Sequence, residues 1–153
     1  MNGTHIHLLL NHLPIIGLPI GLLILLVARI QKNEGMTRFA FLFTAVVGLM
    51  AIPVFLTGEP AEEAVEHLPG VTRTFIHNHE EAGEVAMVLS ILSAALAAVL
   101  LFIPRFQNAK KFQAKGIIAL IVVLGVAAGS LAYTGYLGGQ IRHTEIRDGA
   151  AAQ

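Results

Sequence analysis

A chain of 153 residues that is 55% hydrophobic and only 13% charged is too apolar for a water-soluble domain, and its formal charges cancel to zero. The absence of cysteine excludes disulfides, a cysteine-ligated iron–sulfur cluster and a covalently attached c-type haem, which needs C-x-x-C-H. No nucleic-acid-binding signature is present.

Four apolar segments follow one another along the chain: Leu8–Ile30, Phe39–Thr57, Val85–Ile103 and Gly116–Leu137. At about 1.5 Å per residue, a nineteen-residue helix such as Phe39–Thr57 spans about 28 Å, close to the hydrocarbon thickness. Backbone polar groups in lipid must be satisfied within the segment, so the expected fold is an all-α integral membrane four-helix bundle forming a single domain. In the first segment the cations Arg29 and Lys32 follow the apolar run, and no small-residue cleavage site closes it. A retained helix is expected rather than a removed leader. Pro14 and Pro19 there, and Pro53 in the second segment, are expected to kink or end their helices. Pro14 alternatively suits a first helical turn, with His12 just outside it.

Basic residues cluster in two connections: Arg29, Lys32 and Arg38, then Arg105, Lys110, Lys111 and Lys115. Only Arg73, Arg142 and Arg147 lie on the other side, so the seven-cation side is expected to be cytoplasmic. Both termini and the 58–82 loop then face outward, as in a multi-pass protein of a bacterial inner membrane. Nine of the ten acidic residues and all seven histidines fall on that outer face.

The chain also reads as two helical hairpins in tandem. Each half opens with H-x-H (His5–His7, His77–His79), turns through a basic loop and returns to a Thr-Gly pair (Thr57-Gly58, Thr134-Gly135). A histidine follows each pair, at His67 and His143. Parallel repeats about an axis along the membrane normal are an established architecture, and chance likeness between apolar segments is the alternative. The pairs Gly17/Gly21, Gly125/Gly129 and Gly135/Gly139 are small-xxx-small patterns suited to close helix approach, or to a flat cofactor between helices.

Imidazole is a frequent ligand of metals and of haem iron, which makes the histidines the candidate site. On an uninterrupted helix His5 and His12 share a face, whereas His7 and His12 point about 140° apart. They serve one ligand only if Pro14 breaks the helix. His12 lies just within the apolar segment, where an ionisable side chain is a functional candidate, or else bonds to a neighbouring carbonyl. In the second cluster His77, Glu80, Glu81 and Glu84 share a helical face; the acids also suit the first turn of a helix. Gly138-Gly139 could end the last helix before His143. Glu59, Glu62, Glu63 and Glu66 read as the solvated face of a short amphipathic helix that carries His67.

The H-x-x-x-x-H-x-P pattern of His7–Pro14, the H-x-x-x-G of His79–Gly83 and the T-G-x-L-G-G of Thr134–Gly139 with a histidine beyond resemble one bacterial family. It is a domain-of-unknown-function family of small four-helix membrane proteins, and the likeness runs from His7 to about His143. Leu8 stands where that family commonly has proline, and the final histidine lies closer to the glycine pair. The resemblance implies His7, His12, His79 and His143 as the positions to weigh most. Similar members occur beside or fused to redox modules, which implies a respiratory or haem-linked setting.

The leading expectation is a b-type haem protein acting in electron transfer or as a redox-complex subunit. His12 and His79 are its first-choice axial ligands, and His7 and His143 the next. Its partners would be membrane lipid, a redox subunit or an extracytoplasmic electron carrier steered by the acidic face. The alternatives are a non-haem Zn, Cu or Fe ion on the same histidines, supplemented by His5, His77, Glu80 and Glu84, and a non-catalytic accessory subunit. The glycine faces are compatible with a homo-oligomer or a larger complex.

Overall fold

A computed structural model describes residues 3–102 and 109–147. In chain order the elements are α1 (Gly3–Leu10), α2 (His12–Ile30), α3 (Glu34–Leu49), α4 (Ala51–Leu56), α5 (Gly58–Val65), α6 (Arg73–Phe102) and α7 (Ala109–Arg142), then a 3-10 turn at Thr144–Ile146. No strand occurs among the described residues. Four stretches are long and apolar enough to cross a membrane: Gly3–Ile30, Glu34–Leu56, Arg73–Phe102 and Lys111–Arg142. The protein is an all-α four-helix bundle, with α2 packed on α3 and α7, and α6 packed on the same two neighbours.

The helices outrun the apolar segments that mark them. The third begins at Arg73 rather than Val85, and the fourth ends at Arg142 rather than Leu137. A 30-residue helix is about 45 Å long, against about 30 Å of hydrocarbon. Hydropathy registers only the stretch facing lipid, whereas the backbone continues helical through the polar ends. His77 and His79 are therefore on helix rather than in a loop, whereas His67 lies in the turn after α5 and His143 just past the end of α7. Ile103, the expected end of the third span, lies outside the described residues, as do Arg105 and Asp148.

Two prolines leave the same mark. Pro14 and Pro53 lack the N–H that would bond the Leu10 and Leu49 carbonyls, and the helical ladder breaks at Asn11 and Met50. Both break residues keep right-handed helical angles, so the helical course continues through them. Pro14 thus sits in the first turn of α2, with His12 as its first residue. Pro19 lies inside α2 without ending it.

The α2–α3 connection is a tight turn. Lys32 adopts the left-handed conformation (φ 53°), and the Asn33 N–H reaches back to the Ala28 carbonyl at 2.9 Å. The Asn33 side chain then caps α3, its Oδ1 accepting from the Met36 N–H at 2.9 Å.

Inside the bundle Leu18 and Leu25 of α2 meet Phe41 of α3, Leu100 of α6 and Leu120 and Leu124 of α7, all fully buried or nearly so. The outward faces are equally apolar: Leu23, Ile118 and Val122 are each at least 60% exposed, as suits side chains bathed in lipid. Buried hydroxyls return to their own helix: Ser90 Oγ donates to the Ala86 carbonyl at 2.7 Å and Ser93 Oγ to that of Leu89 at 2.8 Å. Small residues set the crossings. A Cβ at Gly48 would lie 2.6 Å from the Ser90 carbonyl oxygen, and one at Gly17 would lie 2.5 Å from Val47 Cγ1. Gly17 and Gly21 therefore seat α2 on α3. Gly125 and Gly129 have nothing within 4 Å and seat no helix of this chain among the described residues.

Candidate functional site

The N-terminal end of α1, the C-terminal end of α7, all of α5 and the start of α6 gather at one end of the bundle. There α1 packs on α5, and Arg147 ties the chain end to the 68–75 region. His7 projects from α1 and His79 from α6. These helices sit diagonally across the bundle, and at this end the two imidazoles meet. Their ring centroids lie 6.4 Å apart with the planes at 83°.

Each ring is held by a backbone carbonyl near the end of the helix returning in its own half. His7 Nδ1 lies 3.0 Å from the Val54 carbonyl oxygen and 3.3 Å from Thr57 Oγ1. His79 Nδ1 lies 2.9 Å from the Thr134 carbonyl oxygen. A carbonyl only accepts, so in both rings Nδ1 carries the proton and donates it. In the neutral imidazole Nε2 is then left with its lone pair. This is the arrangement that fixes tautomer and orientation in metal-binding histidines. Thr57 and Thr134 are themselves anchored one turn back: Thr57 Oγ1 donates to the Val54 and Pro53 carbonyls, Thr134 Oγ1 to that of Ser130.

The other candidates are not brought to this point. His12 is exposed and its Nδ1 donates to the Leu8 carbonyl at 2.7 Å, the local bond open to a histidine one turn further along a helix. Because Asn11 keeps helical angles, His7 and His12 do face apart, and only His7 turns inward. His143 follows the end of α7 and pairs with Glu145 at 2.8 Å, both exposed. Its own backbone N–H and then His143 hold the Glu145 carboxyl below the usual range. His77 pairs with Glu81 at 3.3 Å and His67 with Glu66 at 3.2 Å, both histidines on the surface. His5 is also exposed, and Glu84 borders a shallow apolar groove with Val85 and Val88. Among the described residues no three His, Asp or Glu side chains are placed to hold a metal ion together.

Beside the pair, α5 and α6 enclose an open groove of about 480 Å³ lined by Glu62, Glu66, Arg73, Ile76, His77 and Glu80. Glu80 shares a hydrogen bond with Glu62 and pushes its carboxyl above the ordinary range. The groove sets three glutamates beside Arg73 and His77.

Sequence reasoning passed over three parts of the site. Gly138 and Gly139 do not end α7, which continues to Arg142. A Cβ at Gly138 would lie 2.9 Å from His79 Cε1, so that glycine makes room for the ring. Val54 and Thr134 act through their carbonyls, which carry no side-chain signature; the recurrent Thr-Gly pairs were the available signal. Arg147 is more than a stray cation. It donates to the Gln140, Gly70 and Ile141 carbonyls at 2.7, 2.8 and 3.0 Å, and its guanidinium lies 4.4 Å from the Phe75 ring centre.

Comparison with protein-family models, with curated proteins and with solved structures finds no match to this chain.

Proposed function

We propose that this chain is a membrane haem b protein that transfers electrons, alone or as a subunit of a redox complex, with His7 and His79 as the residues that would hold the haem. The observation that carries the reading is two imidazoles from opposite sides of the bundle, each with Nδ1–H donated to a carbonyl. His7 and His79 are the residues that would hold the haem, through the Nε2 lone pairs that their Nδ1 bonds leave free.

The donor set favours haem over a bare ion. A protein zinc site takes three or four side-chain ligands, whereas haem brings four ring nitrogens and asks the protein for two. Two imidazoles with no third His, Asp or Glu grouped with them among the described residues fit the second need. When bound, the haem supplies one-electron exchange. The chain's own contribution is to hold both imidazoles in one tautomer and to cover the site with apolar helices. Carbonyl acceptors also raise the basicity of the ligating nitrogens. The resemblance to the bacterial four-helix family supports the same setting: a bacterial inner membrane, with the histidine end outward and its acidic groove turned to a basic electron carrier.

The test is an absorption spectrum of the purified protein, oxidised and dithionite-reduced. A Soret band with sharp low-spin bands on reduction is expected. His7→Ala and His79→Ala should each abolish six-coordination, while His12→Ala and His143→Ala should retain it. Protein that contains no haem as purified and takes up none when haem is added would reject the reading and favour an accessory subunit.

A further inference from the structure

His79 reaches its carbonyl from outside α7, and this approach has a steric condition. In the α-helical ladder the Thr134 carbonyl already faces the N–H of the residue four positions on, Gly138. A group arriving at that carbonyl from a neighbouring helix must pass over the Cα of Gly138. The His79 ring does so. A Cβ built on Gly138 would lie 2.9 Å from Cε1, 3.2 Å from Nδ1 and 3.6 Å from Nε2, and its three nearest atoms all belong to this one imidazole.

The other half carries the same spacing with a different outcome. His7 bonds the Val54 carbonyl, and the residue four positions on is Gly58. There the helix has already broken, α4 ending at Leu56, and a Cβ at Gly58 would meet nothing within 4 Å. The two glycines share an offset of four from the bonded carbonyl but not a role.

We propose that Gly138 is the positioning residue of His79: its missing side chain is what lets the imidazole lie against α7, donate Nδ1–H to Thr134 and turn Nε2 to a metal. The ligand role rests on the haem reading above, but the seating of the ring does not. Gly138→Ala forces the ring outward, because the Cβ is fixed to the helix backbone and the side chain of α6 is the part free to move. The bond to Thr134 is then lost, and with it the held tautomer.

Three measurements on the full chain in detergent test this. In protein labelled with ¹⁵N-histidine, the hydrogen-bonded Nδ1–H signal that His79→Gln removes should also vanish in Gly138→Ala and persist in Gly58→Ala. In haem-loaded protein, Gly138→Ala should convert the low-spin spectrum to high-spin, with Gly58→Ala unchanged. In thermal unfolding, Gly138→Ala should lower Tm in the wild-type background and leave it unaltered or raised in the His79→Ala background, alanine being the better helix former. If wild-type protein binds no haem, the haem reading falls, while the first and third measurements still decide the role of Gly138. A retained Nδ1–H signal in Gly138→Ala overturns the proposal. So does a Tm loss of equal size with and without His79, or failure of both Gly138→Ala and His79→Ala/Gly138→Ala to fold.

Discussion

Arg147 shows how much one side chain holds at the histidine end. Its planar guanidinium spends its donors on two terminal carbonyls of α7 and on Gly70, while its face covers Phe75 at the start of α6. A cation suits a helix C-terminus, where carbonyls lack partners. Lysine has the charge but neither the fork nor the flat face. Arg147→Ala should therefore lower stability by about 1–3 kcal/mol, and Arg147→Lys should recover less than half of that, read as thermal unfolding in detergent. Equal stability of the lysine variant and the parent would show that charge alone matters. His7 and His79 obey the same logic: what distinguishes them from His12, His67, His77 and His143 is a long-range carbonyl acceptor, at sequence separations of 47 and 55 residues.

At the scale of elements, the chain uses proline and glycine to shape helices without ending them. Pro14 and Pro53 each open one turn, and those openings set how α1 and α4 approach the site. The α2–α3 turn gives a sharper test. Lys32 sits at φ 53°, a conformation that strains a side chain and suits glycine. Lys32→Gly should stabilise the bundle by about 0.5–1 kcal/mol, relief of that strain outweighing the added freedom of the unfolded chain. Asn33→Ala, which removes the cap on Met36, should cost about 1 kcal/mol. Opposite signs at adjacent residues separate backbone strain from loss of a cap; a shift of the same sign at both would contradict this account. On the proposed haem reading neither variant should change cofactor content, because the turn lies at the far end of the bundle.

At the scale of the whole molecule, the charge distribution and the fold agree on a polarity. The α2–α3 turn carries Arg29 and Lys32 at one end, and the histidine pair with the glutamate-lined groove occupies the other. The natural absence of cysteine makes the orientation directly measurable. A cysteine at Glu63 should react with a membrane-impermeant maleimide in intact cells, and one at Gln31 only after permeabilisation. The reverse pattern would turn the histidine end to the cytoplasm and remove the proposed extracytoplasmic carrier as partner.

Composition and periodicity were enough to establish the helical membrane bundle, because lipid leaves a chain this apolar no other way to satisfy its backbone. They also placed the histidines at one end, since loop charge and segment order are properties of the sequence itself. Which histidines meet was a different matter. Spacing within a helix says that His7 and His12 diverge. It does not say that His7 crosses the bundle to His79, or that His12 and His143 stay on the surface. That selection depends on carbonyls of Val54 and Thr134 supplied by distant segments, and on the gap at Gly138. Each is a contact between residues far apart in the chain, and only the packed helices bring them within reach.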